Sequence, residues 1–222
     1  MAREVMKALT RACVAAAALA AAAPASATDD VFEVWLNPTV EVDVTDKTSV
    51  ELETAQRFRA RADGGRDTYY FRLWVNRELS DNVTLSGAVE QRWNDSEEEQ
   101  RIHQQLSYKS GLFRGRTRLE QRFVEGDDRM GVRLRQRVGV EVPLTRDGKW
   151  AGEANVEGFF TLRNTERGGD TGLTGVRTVI GVSHEVSDRL SVSLGYLRNQ
   201  EIRVGRADRV AHAPLVGIDF SF

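Results

Sequence analysis

The chain contains a single cysteine, Cys13, among its 222 residues. Because Cys13 lies in an N-terminal segment that we expect to be removed, the mature chain has no thiol and can form no disulfide. The residues before it, Thr10, Arg11 and Ala12, lack the aliphatic side chain that a lipoprotein cleavage site requires. We therefore expect the fold to depend on backbone pairing and burial.

Long apolar runs and a charge excess are also missing from the sequence. No run of 18 apolar residues follows the N-terminal segment, which excludes a helical membrane protein. It does not exclude a membrane β-barrel, in which only every second residue must face lipid. The 31 basic and 33 acidic residues nearly balance, so nothing indicates a nucleic-acid partner.

The first 27 residues are typical of a secretory signal peptide. Three basic residues open the chain: Arg3, Lys7 and Arg11. An apolar run from Ala12 to Ala23 follows, and Ala25-Ser26-Ala27 supplies the small residues that a signal peptidase accepts. We expect cleavage after Ala27, so that residues 1–27 are removed and residues 28–222 form a single domain.

Strict alternation of apolar and polar residues is the dominant pattern after the leader. It is clearest between Met130 and Val142, where Arg133, Arg135 and Arg137 occupy alternate positions. A period of two predicts strands, because a helix would distribute these arginines around its whole circumference. About eleven such segments occur, each roughly 10–14 residues long, which is the length that tilted strands need to cross a bilayer.

The connections between these segments alternate between tight and long. Tight turns are predicted at 45–47, 80–82, 111–115, 143–148 and 187–189, and longer polar connections at 62–67, 95–100, 124–129, 163–173 and 199–209. In several tight turns a Ser or Thr precedes Asp, and such side chains can bond to their own backbone. Short turns at one end and longer loops at the other are typical of outer-membrane barrels.

These features predict an all-β fold, an antiparallel transmembrane β-barrel of about 10–12 strands with a charged lumen. An odd number of segments conflicts with the even strand counts of bacterial single-chain barrels. We therefore expect either that Asp29–Val44 is not a full barrel strand or that one strand is miscounted.

The C-terminal segment, Gly217 to Phe222, resembles the terminal strand signal of outer-membrane proteins. In that signal a glycine precedes aromatic residues at alternate positions, and an aromatic residue ends the chain. The resemblance implies that Gly217, Phe220 and Phe222 are recognised by the barrel-assembly machinery. Parity further predicts that Phe222 faces lipid, together with Phe220.

Charged residues are concentrated on the parity that we expect to face the lumen. They are Arg116, Arg118, Arg122, Arg133, Arg135, Arg137, Glu51, Glu53, Glu90, Glu120, Glu153 and Glu157. Because an unpaired buried charge costs several kcal/mol, these arginines require carboxylate partners or an anionic ligand. Two interpretations remain open: an anion-favouring pore, and a ladder of ion pairs that fills the interior.

Catalytic and metal sites find little support in the sequence. The three histidines are His103, His184 and His212. We predict that the last two face lipid, and that Ser183 points away from His184, so that no serine–histidine pair forms. No metal and no cofactor is expected. The acidic tracts at 97–99 and 127–128 are predicted to lie in long loops, as solvated surface or as cation sites that bridge lipopolysaccharide.

Tryptophans and tyrosines lie near several predicted strand ends. They are Trp35, Trp74, Trp93, Trp150, Tyr69, Tyr70, Tyr108 and Tyr196. Amphipathic rings at the level of the lipid headgroups form the aromatic girdles of membrane barrels. We therefore predict a girdle role for this set, with core packing in a soluble sandwich as the alternative.

Four segments resemble a family of uncharacterised Gram-negative outer-membrane β-barrels, domain of unknown function 2490. They are Val34–Pro38, Leu119–Phe123, Arg133–Arg137 and Leu194–Arg198. In that family an opening tryptophan strand, a Ser-Asp or Ser-Lys turn and an arginine-rich middle hairpin recur in this order. The resemblance covers nearly all of the mature chain; it implies the fold and no reaction.

The sequence thus predicts an exported protein of the outer membrane with a structural or permeability role and no catalytic activity. Its expected partners are membrane lipid, lipopolysaccharide and, during insertion, the barrel-assembly machinery. Two alternatives stay open: a lipid-modifying barrel enzyme and a soluble, lipocalin-like binding protein of the periplasm.

Overall fold

The computed structural model of the chain describes residues 28–59, 66–94 and 97–222. The predicted signal peptide lies outside the described residues. Those residues form eleven strands: β1 (Thr28–Thr45), β2 (Thr48–Arg59), β3 (Thr68–Ser80), β4 (Val83–Asn94), β5 (Glu97–Ser110), β6 (Phe113–Val124), β7 (Gly131–Pro143), β8 (Trp150–Arg163), β9 (Gly172–Ser187), β10 (Leu190–Glu201) and β11 (Asp208–Ser221). Across the three described ranges, no helix is long and apolar enough to span a membrane.

The strands close into one barrel in which each strand pairs with its sequence neighbours and β1 pairs with β11. Neighbouring strands are antiparallel, except that β1 and β11 run parallel, from Thr28 opposite Asp208 to Glu41 opposite Ser221. An odd number of alternating strands leaves the first and last pointing the same way. Both explanations offered for the odd count were therefore wrong, because the segment at 29–44 is a full strand and a parallel pair closes the barrel.

The tight turns all lie at one end of the barrel, which we call the turn end. They are residues 46–47, 81–82, 111–112, 144–149 and 188–189. In three of them a hydroxyl oxygen at the end of the strand accepts the backbone N–H two residues later, as the sequence predicted. The pairs are Thr45 with Lys47, Ser80 with Asn82, and Ser187 with Arg189.

The opposite end, the loop end, carries residues 66–67 and the connections at 125–130, 164–171 and 202–207. The predicted long connection at 95–100 was wrong, because β5 begins at Glu97. Glu97 to Glu99 belong to this strand, and Glu99 is buried at 3% exposure. Its inward position and its arginine partners explain why an acidic tract continues a strand here instead of forming a solvated loop.

Burial alternates along the strands in the sense opposite to that of a soluble protein. In β3, Arg72 and Trp74 are buried, whereas Phe71, Leu73 and Val75 are 52%, 47% and 52% exposed. The period of two places these two sets on opposite faces of the sheet. The outer surface of the barrel is therefore apolar and its interior is charged.

The C-terminal residue completes the parallel seam at the turn end. The carbonyl oxygen of Phe222 accepts the N–H of Asp43 at 2.9 Å, and its own N–H donates to Glu41 at 3.0 Å. Phe220 and Phe222 are 38% and 59% exposed on the outer face, where parity placed them. Gly217 faces inward, and a Cβ there would lie 2.3 Å from Oγ of Ser193. A larger residue at 217 would therefore displace the Ser193 hydroxyl, and glycine leaves room for it.

Candidate solute site in the barrel interior

One side of the interior, formed by β2 to β8, is filled by ion pairs. We call this set the ion-pair network; its members are Glu53, Arg72, Glu90, Glu99, Arg101, Arg116, Glu120, Arg122, Arg133, Arg135 and Glu157. They come from alternate positions of neighbouring strands, so each arginine reaches a glutamate on an adjacent or nearby strand. The charged residues at alternate positions of the sequence therefore form one continuous polar layer inside the barrel.

Arg72 shows how the network passes from strand to strand. Its Nη1 donates to Glu53 on β2 at 2.5 Å, and its Nε donates to Glu90 on β4 at 2.7 Å. Arg101 on β5 then joins Glu90, at 3.2 Å, to Glu99. Charge-assisted bonds of this kind are about twice as strong as neutral ones, which offsets part of the cost of burying the charges.

Arg135 has the same role between β6 and β8. Its Nη1 donates to Glu120 at 2.8 Å, and its Nη2 donates to Glu157 at 2.6 Å. Glu120 is fully buried and also accepts Nε of Arg133 at 2.8 Å. Arg116 donates to Glu157 at 2.5 Å. Each of these two glutamates therefore compensates at least two arginines.

His103 lies inside the network and is 1% exposed. Its Nε2 is 3.2 Å from Oε2 of Glu90, and its Nδ1 is 3.6 Å from Oε1 of Glu120. Its ring lies 5.6 Å from that of Trp74. The imidazole therefore lies between two carboxylates in the packed interior and is hydrogen-bonded to that of Glu90.

The remaining lumen residues predicted from the sequence lie outside the network. Arg118 donates to Gln105 at 2.8 Å and has its guanidinium 4.7 Å from the ring of Trp74. Arg137 and Glu153 line the cavities described below. Glu51 is half-buried on β2 opposite Trp74.

The other side of the interior, formed by β1 and β9 to β11, contains an apolar cluster. We call it the apolar sector: Trp35, Val179, Leu197, Ala213 and Leu215. Trp35 and Leu197 are 3% and 1% exposed. The indole N–H donates to Glu33 at 2.7 Å, which satisfies its polar atom while the ring packs against aliphatic side chains.

Two cavities lie inside the described part of the barrel, and the first of them is lined only by β4 to β8 and the turn before β4. The turn-end cavity, of about 250 Å³, is lined by Lys109 and Arg114, and the loop-end cavity, of about 300 Å³, by Trp35 and Arg57. Both share three lining residues: Arg137, Glu153 and Asn155. Arginines outnumber glutamates around the loop-end cavity, so its wall is positive.

Two arginines of the loop-end cavity are compensated by rings more than by carboxylates. The Cζ of Arg57 lies 3.8 Å from the ring centroid of Trp35, and that of Arg177 lies 4.8 Å from it. Among the described residues no carboxylate lies within 4 Å of Arg57, and Glu157 lies 3.9 Å from Arg177. A cation–π contact contributes about 0.5–2 kcal/mol, whereas an unpaired buried charge costs about 3–5. The contacts with the rings therefore offset only part of the cost of burying the charges of Arg57 and Arg177.

The girdle prediction was wrong for three aromatic residues. Trp35, Tyr70 and Trp74 are 3–4% exposed and point into the barrel. Trp35 shares the parity of Glu33, and Trp74 that of Arg72, so alternation itself carried the signal for an inward position. Outward rings also occur: Tyr108, Trp150 and Tyr196 are 41–50% exposed.

The outward histidines contact aromatic rings. His184 stacks on Trp150 with ring centroids 4.2 Å apart, and Nδ1 of His212 lies 2.5 Å from the hydroxyl of Tyr196. No group of three or more metal-ligating side chains occurs in the parts of the chain that the structure describes. In the loop at 125–130, Asp128 forms an exposed ion pair with Arg167.

Comparisons with known proteins bear on the family and the fold. The family described as "Protein of unknown function (DUF2490)" matches residues 32–210. An uncharacterized protein of Methylorubrum extorquens is 35% identical over 113 residues, which cover 47% of this chain and 48% of that protein. The chain thus spans about half the length of this relative.

One solved chain, from work described as "Unveiling the Mechanism Behind the in-meso Crystallization of Membrane Proteins", is 13% identical. It has a TM-score of 0.45, and the match covers 80% of this chain and 78% of that one. The closed barrel of this chain follows from the pairing of its own strands and not from this likeness.

Proposed function

The chain belongs to the DUF2490 family of proteins of unknown function, and from this premise we propose that it is an outer-membrane barrel that passes small anions. The observation that carries the proposal is the inverted distribution of side chains, apolar outside and charged inside. Soluble proteins rarely expose large contiguous apolar patches, whereas outer-membrane barrels present an apolar band about 25 Å tall. Strands of 12 residues rise about 40 Å and, at a tilt of about 45°, span such a band.

The two cavities support a passage along the barrel. They share Arg137, which has no ion pair among the described residues, and Glu153, so the wall common to both cavities carries both signs of charge. Arginines dominate the loop-end cavity, and rings of arginine favour anions. The route is narrow because the ion-pair network fills the β2–β8 side.

Conductance in planar bilayers tests the passage. We expect the purified protein to conduct with a reversal potential that favours anions in a salt gradient. Arg137→Gln should weaken this selectivity and Arg137→Glu should reverse it, because Arg137 lines both cavities. Arg77→Gln is the matched control, since Arg77 is exposed and bonds to Thr48 on the outer face. Selectivity unchanged by both Arg137 variants would contradict the proposal.

A structural role is the second candidate, and the ion-pair network favours it. A lumen filled by salt bridges from seven strands braces the barrel without conducting. Folded protein that gives no conductance would support this role. The membrane location is tested by fractionation together with heat-modifiable gel migration. Release of all the protein by osmotic shock would instead support the soluble periplasmic alternative.

A further inference from the structure

We infer that the loop-end cavity holds one small oxyanion, a phosphate or carboxylate group, between Arg57 and Arg177 beside Trp35. This inference rests on the proposed function, because it names the class of solute and the point at which the passage binds it. It concerns residues that lie outside the ion-pair network and that the sequence pattern did not single out.

Arg57 is the first observation. Its Nε is buried without a hydrogen-bond partner, although its guanidinium lies 3.8 Å from the centre of the Trp35 ring. No described side chain accepts a hydrogen bond from it. A buried cation with an unused donor is an incomplete site, since buried polar groups are nearly always hydrogen-bonded.

Arg177 supplies the second guanidinium. Its Nε donates to Asn199 at 3.1 Å, which fixes its orientation, and its Nη1 is 3.9 Å from Glu157. Glu157 already accepts hydrogen bonds from Arg116 and Arg135. The other N–H groups of Arg177 therefore have no acceptor among the described residues.

The walls and volume of the cavity specify the ligand. Trp35 lies beside both guanidiniums, and Phe159 lies 5.0 Å from that of Arg177. Two planar guanidinium forks next to rings match an oxyanion that accepts paired N–H bonds. A cavity of about 300 Å³ admits phosphate or a small organic acid and excludes a lipid.

Equilibrium dialysis with radiolabelled inorganic phosphate tests the site in protein solubilised in a non-ionic maltoside detergent. We expect one phosphate per barrel, with acetate as a competitor. Arg57→Gln and Arg177→Gln should each weaken binding about tenfold or more, whereas Arg77→Gln should leave it unchanged. Arg57→Lys keeps the charge but not the fork, so we expect an intermediate affinity.

Heat-modifiable migration verifies that each variant is folded. If Arg57→Gln does not fold, the single variants Arg57→Lys and Arg177→Gln test the site. No phosphate binding by the folded wild type, or equal binding by all variants, would overturn the site. Displacement of phosphate by lipopolysaccharide would also overturn it, because a free solute was inferred. Phosphate binding without conductance would support the site and contradict the anion passage. Conductance without phosphate binding would contradict the site and leave the passage supported.

Discussion

The ion-pair network and the apolar sector fill the same barrel by different chemistry. The network closes its side with buried carboxylates shared between arginines, as Glu120 is between Arg133 and Arg135. The apolar sector closes the other side with Trp35 and Leu197. The stability of the network depends on each charge keeping its partner, and the stability of the apolar sector depends on side-chain volume filling the space. The under-compensated arginines of the loop-end cavity lie where the two meet.

The largest expected effect is the loss of a shared carboxylate from the network. Glu120→Gln leaves Arg133 and Arg135 without this partner, so we expect the free energy of unfolding to fall by about 3–5 kcal/mol. Denaturant unfolding in detergent micelles, followed by tryptophan fluorescence, measures it. The matched control is Glu141→Gln, because Glu141 and its partner Arg114 are 47% and 35% exposed. The control should cost under about 1 kcal/mol; equal losses would contradict the comparison.

The apolar sector should respond to a change of volume and not to salt. Leu197→Ala removes a fully buried side chain, and we expect a loss of about 3 kcal/mol that is the same at low and high ionic strength. Leu194→Ala is the control on the same strand, because Leu194 is 59% exposed on the outer face. A loss at Leu197 that shrinks as salt is added would refute an apolar filling here.

Substitution of Gly217 should have a smaller effect on stability, and it distinguishes a packing role of this glycine from a role in recognition by the barrel-assembly machinery. In Gly217→Ala the new Cβ meets Oγ of Ser193 at 2.3 Å, so we expect a loss of about 2 kcal/mol in the free energy of unfolding. Adding Ser193→Ala should restore stability, because the two Cβ atoms are then 3.7 Å apart. Reduced insertion into the outer membrane with unchanged stability would instead support an assembly role for Gly217.

The sequence predicted the strands well because a period of two survives any tertiary arrangement. The alternating segment from Met130 to Val142 is the strand Gly131–Pro143, and Asp29–Val44 lies within the strand Thr28–Thr45. The same parity places Arg135 and Glu120 inside the barrel. Alternation fixes the face of each residue and says nothing about which strand lies beside the first one.

Features that depend on partners across the barrel were not predictable in this way. The parallel seam forms because β11, after ten connections, runs in the same direction as β1. The even strand counts of bacterial barrels had led us to expect no such pair. Glu99 looked like a loop residue until Arg101 and Arg122 were placed next to it. The pair Arg57 and Arg177 comes from strands far apart in sequence, so no local pattern joins them.

The parallel seam gives the smallest effect that still distinguishes the two sides. Thr39 on β1 donates to Asp219 on β11 at 2.6 Å, so Thr39→Val removes a bond to an acidic side chain, and we expect a loss of about 1.5 kcal/mol. Thr161→Val removes a bond of 2.7 Å to the neutral Thr174, also inside the barrel but between the antiparallel β8 and β9, and should cost about 0.5–1 kcal/mol. Parallel pairs are slightly less stable per residue than antiparallel ones, so a side-chain bond should matter more at the seam. A larger loss at Thr161 than at Thr39 would mean that the backbone ladder and the apolar sector hold the seam without this bond.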